Sequence, residues 1–537
     1  MLALLFLALL QDSKPPEPPP FGATEIGVAA EVLGLHFTEK ELELMLPEVS
    51  DRLKEFERLR AVPISNEVTP ALYFLPQREA LLATTAEKPA QFPHGGPPPV
   101  RPANLEELAF EPIGVLHECL EKHVVSCVEL TGMYLARLKR LDEQLHCVVT
   151  LTEERALAQA RALDAELAAG KNRGILHGIP WVAKDLLAVK GYPTTWGTAP
   201  YKDQRLDRDA TVVEKLDAAG AVLIAKVSLG ELAMGDVWFG GKTRNPWKTE
   251  QGSSGSSAGT ASAVAAGCAA FGIGSETLGS IVSPSTVCGN SSLRPTFGRV
   301  SRYGAMTLCW SMDKLGPIGR SAEDLNQVFE FIHGLDPRDP TTVALPYDEV
   351  LGDVRGWKVG VPKGAFQDER DRRVLEELKG LGVELVDVEL PKYPVDELMI
   401  VLTAEAGAAF DDFSRGALDD QMARQTRDAW PNTFRQAELI PAVDYLRANR
   451  LRTLLIRDYE AMLSGVKAIV YPSFFGPLLG ATNLTGEPTF VAPCGFNDDG
   501  TPYSVSFTAR LFADADLLAL GRAWQGSTDY HRRHPKL

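Results

Sequence analysis

The sequence predicts an α/β protein: a central mixed, twisted β-sheet covered by helices on both faces, with a small helical extension at the amino terminus. Two observations predict this. From residue 106 onward, amphipathic helical segments alternate with short apolar runs bounded by Gly or Pro, the pattern of strands buried between helical layers. The chain's 537 residues, 45% hydrophobic and 23% charged, are enough for one large domain or two to three ordinary ones with solid cores.

Taken in order, the amino terminus reads "MLALLFLALLQDSKPPEPPPFG". Its apolar run is too short to span a bilayer but suits the h-region of a signal peptide. The prolines after it make a stiff, extended spacer. No Lys or Arg precedes the run and no A-x-A site follows it. Residues 1–20 are therefore expected to be a signal peptide and spacer of a periplasmic or extracellular protein. The alternative is a buried or frayed terminal segment of a cytoplasmic one. No stable membrane insertion is expected. Residues 21–102 form the helical extension, in which Leu42, Leu46, Val49, Leu53 and Phe56 recur near the helical period. The Pro-rich stretch "AQFPHGGPPPVRPANL" (90–105) marks a boundary, and the main domain occupies 103–530. There, "VELTGMYLARLKRLDEQ" and "EERALAQARALDAELAAGKNRG" are helices, the second closing at Gly170. The runs at 221–227, 358–362, 382–390 and 468–474 are strands.

Charge and cysteine usage exclude several function classes. A net charge of −16 opposes an extended nucleic-acid face, which needs clustered Lys and Arg. Seven cysteines without a C-x-x-C pair indicate neither a zinc site nor a disulfide scaffold. In "HECLEKH" the histidines His117 and His123 are six apart, on different helix faces, unlike the i, i+4 spacing of a metal motif. No metal and no cofactor is expected.

The segment "TEQGSSGSSAGTASAVAAG" (249–267) has the composition of a linker. It runs straight into Ala261–Ala270, which has helical character, and Gly/Ser backbone N–H groups feeding a helix start make an anion-binding end. A P-loop is excluded because its Lys is missing. "GSSAG" (255–259) matches G-x-S-x-G, which points at Ser257, but that elbow needs an apolar strand before it and "RNPWKTEQGS" is none. Upstream, Lys184 lies within an apolar stretch, "HGIPWVAKDLLAV". A buried amine loses its charge to desolvation and can then act as a base toward a serine hydroxyl.

The strings "HGIPWVAKDL", "DATVVEKLDAAGAVLIAKVSLGELAMG", "GSSAGTASAVAAG", "GSETLGSI", "LRPTFGRVSRYG" and "MDKLGPIGRS" occur in this order between 176 and about 325. Together they resemble the amidase signature family of serine hydrolases, and weaker similarity runs from about 105 to 525. The resemblance implies the amidase signature fold and a Ser–cis-Ser–Lys triad. Its nucleophile position is matched by Ser280 and its base by Lys184. The bridging serine is Ser256, which precedes Ser280 by the family's twenty-four residues; Ser253 would demand a three-residue insertion. A cis peptide is implied before Ser256, and the backbone N–H groups of Thr277, Leu278 and Gly279 would face the oxyanion. Three departures stand out: Leu278 replaces a glycine of the oxyanion loop, Val282 an arginine, and Glu276 that arginine's acidic neighbour. The last two read as one compensated loss of an ion pair.

The implied activity is metal-independent hydrolysis of the carbon–nitrogen bond of a carboxamide. The implied partner is a small-molecule amide, with no nucleic acid, and the expected state is a monomer or homodimer. Two alternatives stand beside it. One is the glutamine-hydrolysing A subunit of the glutamyl-tRNA(Gln)/aspartyl-tRNA(Asn) amidotransferase; the other is a non-catalytic family member. Residues 392–465 are expected either to cover the pocket or to be an exposed-face helix with a solvated charge run, the second reading being preferred.

Overall fold

A computed structural model describes residues 20–64, 68, 70–72, 100–347, 350 and 353–537. Residues 1–19 of the expected signal peptide and spacer, and 90–99 of the 90–105 boundary, lie outside the described residues. The strands, in chain order, are β1 (Val148–Leu151), β2 (Pro180–Lys184), β3 (Val222–Val227), β4 (Val237–Trp238), β5 (Gly241–Lys242), β6 (Arg244–Asn245), β7 (Lys248–Gly252) and β8 (Phe271–Glu276). They continue with β9 (Ser291–Arg294), β10 (Lys314–Gly319), β11 (Lys358–Pro362), β12 (Glu384–Val388), β13 (Ala468–Pro472), β14 (Thr489–Phe496) and β15 (Pro502–Thr508).

Eleven of these make one sheet in the order β1-β3-β2-β8-β10-β9-β14-β15-β13-β11-β12. Two parallel groups, β3-β2-β8 and β13-β11-β12, are joined by antiparallel strands. The sheet is therefore mixed, with helices on both faces, as the sequence predicts. Its central strands are apolar and closed to water: every residue of β2 and β3 is buried, which removes the polar/apolar alternation of a half-exposed strand.

The predicted helices appear as Cys127–Leu145 and Glu153–Ala168, with Gly170 at φ +73° just beyond the second. Ser126 caps the first by accepting from Glu129 N–H while the Glu129 carboxylate takes the Ser126 N–H, a capping box. One helix is shorter than expected. Ala258–Ala265 ends before Gly267, where φ is +66° and an added Cβ would lie 2.8 Å from the Phe110 ring. The chain turns there and enters β8 within four residues.

In the extension, helix Ala23–Val32 packs on helix Glu39–Ala61, which in turn packs on the helical region 395–463. Phe56 and Leu59 share a core with Leu398, Val401, Leu451 and Leu455. Arg60 holds the Asp444 carboxylate with two hydrogen bonds of 2.9 and 2.6 Å. The Arg447 guanidinium donates to the carbonyls of Leu59, Arg60 and Val62, satisfying acceptors at the end of the long helix. Among the described residues no helix is long and apolar enough to cross a membrane.

Candidate active site

Parallel pairing of β2 with β3 and β8 brings the site together, because it puts the carboxyl ends of β2 and β8 side by side. Lys184 is the last residue of β2 and is fully buried. Its Nζ lies 2.8 Å from Ser256 Oγ, 3.1 Å from Ser257 Oγ and 2.9 Å from Ser275 Oγ. No carboxylate forms an ion pair with it among the described residues. Burial therefore drives the amine well below its ordinary value, against weaker pulls from Asp313 and Glu276. The shift favours the neutral form, which has a lone pair to offer. Its neighbour Asp185 points elsewhere and pairs with the equally buried Lys226 at 2.6 Å.

Ser256 follows a cis peptide bond with Gly255, as the resemblance implies. Gly255 is also required by packing, since a Cβ there would lie 1.8 Å from the Gly235 carbonyl oxygen. The segment before it differs from expectation. Lys248–Gly252 is a strand, but a polar one, paired only with β6 in a two-stranded hairpin off the main sheet. The nucleophile elbow still lacks its supporting strand. Ser257, the residue that elbow would use, has its hydroxyl fully engaged. It donates to the Ser275 carbonyl at 3.1 Å and accepts from Ser275 N–H at 3.1 Å and from Lys184. With its proton committed to a carbonyl, Ser257 cannot pass one to the amine. Ser256, only 1% exposed, has no such commitment.

Ser280 sits between β8 and the helix Val282–Cys288. It is 8% exposed, and its carbonyl accepts the Ser257 N–H at 3.1 Å. The loop that carries Ser280 is thereby tied to the residue after Ser256. No hydrogen bond links Ser256 Oγ to Ser280 Oγ, and no acceptor among the described residues takes the N–H of Thr277, Leu278, Gly279 or Ser280. A row of backbone donors next to Ser280 is thus left without an acceptor among the described residues. Leu278 keeps an ordinary negative φ, whereas Gly279 takes φ +82°. The leucine in the glycine position costs the loop no left-handed residue.

Two carboxylates shape this loop. Glu276, fully buried, accepts from the N–H groups of Ile281 and Val282 at 2.7 and 2.8 Å and pairs with Arg294 at 2.8 Å. Burial raises its carboxyl, but Arg294 and the hydrogen bonds from Val282 and Asn483 outweigh that and hold it below the usual carboxylate range. The expectation of a lost ion pair is thereby corrected. The acid at 276 keeps an arginine, delivered by β9 instead of position 282. Asp313, just before β10, accepts from Thr277 Oγ1 at 2.6 Å and from the N–H groups of Leu308 and Cys309 at 2.8 and 3.0 Å. Burial raises its carboxyl, with Thr277 and Arg302 pulling the other way.

The structure thus brings Lys184 and Ser256 into contact and sets Ser280 on the loop that carries Thr277, Leu278 and Gly279. Sequence reasoning missed Ser257, Ser275, Arg294 and Asp313 as supports. Asp313 lies in the quoted "MDKLGPIGRS", but neither it nor Ser275 is marked locally, because their partners come from other segments. His117 and His123 join no metal cluster among the described residues.

Residues 129–479 match the family model described as Amidase. The chain is 35% identical over 486 residues to the A subunit of glutamyl-tRNA(Gln) amidotransferase from Chloroflexus aggregans, covering 81% of this chain and 99% of the relative. To the protein of the same name in Moorella thermoacetica it is 34% identical over 484 residues, covering 80% and 99%. Among solved structures, the native peptide amidase of Stenotrophomonas maltophilia superposes with a TM-score of 0.71 at 28% identity, over 80% of this chain and 99% of that one. With the family model spanning well over half its length and its motifs gathered around one buried lysine, the chain belongs to the amidase signature family.

Proposed function

We propose that the protein is an amidase that hydrolyses the carbon–nitrogen bond of a carboxamide through an acyl-enzyme on Ser280. The observation that carries this reading is the fully buried Lys184 amine, pushed well below its ordinary value by burial, 2.8 Å from Ser256 Oγ. In the proposed sequence Lys184 takes the Ser256 proton as Ser256 takes that of Ser280, and Ser280 Oγ attacks the carbonyl carbon. The carbonyl oxygen, now negative, turns toward the N–H groups of Thr277 to Ser280, where each well-placed donor is worth about 3 kcal/mol. The relay then returns the proton to the leaving nitrogen, the carbon–nitrogen bond breaks, and water attacks the ester by the same route. The Ser256–Ser280 contact closes with substrate bound, since such contacts tighten in the reacting complex.

A small-molecule amide, a monomeric or homodimeric state and export by the amino-terminal segment belong to the same proposal. A second reading is favoured by the similarity to the amidotransferase relatives: glutamine hydrolysis within a heteromeric complex. The two separate by substrate, since only the second makes glutamine preferred and partner proteins necessary.

The test is labelling with a fluorophosphonate, mapped by peptide mass. One adduct on Ser280 is expected, with labelling and turnover falling about 10²–10⁴-fold in Lys184→Ala and Ser256→Ala. An unlabelled folded protein, or an adduct on Ser257, would overturn the reading.

A further inference from the structure

Resting on the amidase reading, we propose that Lys314 is a positioning residue for Ser280. Uncharged, it leaves the Glu276 carboxylate to the N–H groups of Ile281 and Val282. Once protonated, it draws that carboxylate off them, so turnover falls toward acid for a reason separate from Lys184. The pairing of β8 with β10 supplies the geometry. Lys314 opens β10 directly opposite Glu276, the last residue of β8. Side chains that face each other across an antiparallel ladder share one face of the sheet, and both of these are buried. Asp313, one residue earlier, takes the Thr277 hydroxyl at 2.6 Å. The start of β10 thus meets the Ser280 loop through two neighbouring residues.

Glu276 has no acceptor position to spare. Arg294 and Asn483 donate to its Oε1 at 2.8 and 2.7 Å, and the N–H groups of Ile281 and Val282 donate to its Oε2 at 2.7 and 2.8 Å. These fill the roughly four lone-pair sites of a carboxylate. Lys314 Nζ donates to the Met312 carbonyl and forms no ion pair among the described residues. One acceptor suffices for an uncharged amine, but an ammonium there leaves its remaining donors bare in a dry interior. Among carboxylates, Glu276 exerts the largest pull on it. Arg294 already sits on Oε1 and repels a second cation, which leaves Oε2. There the ammonium displaces two uncharged backbone donors, because charge-assisted hydrogen bonds are the stronger. Ile281 and Val282 directly follow Ser280, so freeing them loosens the nucleophile.

The surroundings place this proton uptake near neutrality. Burial, and then Arg294, push Lys314 down to about 7; Glu276 and Asp313 pull it up, and Arg452 of the helix Ala442–Leu463 pushes it down. Behind these, Cys309, Glu405 and Tyr445 face Arg452, and Glu487 faces both Arg452 and Arg294. Burial brings Glu487 up to about 7 as well. Its carboxylate, however, is engaged by Thr485 Oγ1 and makes no hydrogen bond to the Ser280 loop among the described residues. Lys184 also meets Asp313 and Glu276, so the two buried amines share the same pair of carboxylates from opposite sides of β8 in the ladder order β2-β8-β10.

The experiment follows kcat against pH on 4-nitroacetanilide and on propionamide. Relative to its value at pH 9, kcat at pH 6 is expected to rise about tenfold in Lys314→Met, the effect of removing one ionisation a unit below its midpoint in the substrate complex. Lys314→Arg, which cannot shed its proton, lowers kcat at pH 9 about tenfold and changes KM less. A ratio unchanged in Lys314→Met, or one that moves in Glu487→Gln instead, would overturn the proposal. If neither amide is hydrolysed, the amidase reading fails separately, and hydrogen exchange then decides the role of Lys314. Corrected for intrinsic exchange, the wild-type peptide carrying Ile281 and Val282 is expected to be less protected at pH 6 than at pH 9, and Lys314→Met to erase that difference. Equal protection at the two pH values, or a difference that persists in Lys314→Met, refutes the proposal.

Discussion

Lys184 and Lys226 are both buried without exposure on neighbouring parallel strands, yet they meet opposite surroundings. Lys226 has the Asp185 carboxylate at 2.6 Å; Lys184 has three hydroxyls. In the proposed mechanism that difference leaves Lys226 ion-paired and makes Lys184 the base. Lys184→Arg, which cannot shed its proton, should abolish acyl-enzyme formation in a burst assay while leaving the fold intact by circular dichroism. The same amine leaves a mark on stability. Its folded value is lowered from 10.5, so between that lowered value and about 10.5 the unfolded chain binds more protons than the native one. Stability must therefore rise with pH across this window and be lost as pH falls through the folded value. Urea titrations from pH 7 to 10 should show that rise, reduced in Lys184→Met. Activity should share the acid limb, with kcat/KM declining as Lys184 takes up its proton.

At the scale of elements, the nucleophile loop is shaped by its neighbours more than by its own residues. β10 contributes Asp313 through the turn before it, and β9 contributes Arg294. Asp313→Ala frees Thr277 and the 308–309 backbone. It should lower kcat on any amide about ten- to a hundredfold while KM on a small amide changes less, because the donors it aligns act in the transition state. The extension is joined just as specifically to the helices of 395–463. Arg435, 7% exposed on its side chain, reaches Glu41 of the extension at 2.8 Å and Asp419 at 2.7 Å. Arg435→Ala leaves Asp419, nearly inaccessible, without its cation. This should cost about 3 kcal/mol, read as a lower urea midpoint. These docking contacts join residues more than 370 positions apart, as in Arg60–Asp444 and Arg427–Glu48. No local pattern announces them, and helical periodicity gave the helices but not their seat. The strands, by contrast, were legible: 358–362 agrees to the residue and 468–472 falls within its predicted run, because burial on both faces leaves an uninterrupted apolar signature.

Across the whole molecule, all seven cysteines are buried and none is in a disulfide, and burial raises the thiols of Cys147, Cys268 and Cys309, that of Cys268 to about 12. Iodoacetamide at pH 7.5 should leave the native enzyme active and unmodified, and should label the cysteines once urea is added. Lys184, Ser256 and Ser280 could be singled out in the sequence because each sits in a string that resembles the family's motifs. Ser275, Ser257 and Asp313 could not, since their roles arise only when β8 lies between β2 and β10. The strand β8 also explains why the interval from Ser256 to Ser280 admits no slack. Along it the side chains alternate, Ser275 toward Lys184 and Glu276 toward Arg294. One extra residue in that strand would exchange their faces and bring a carboxylate to the lysine. The amine would then keep its proton, and a single-codon insertion would silence the enzyme with every active-site side chain still present.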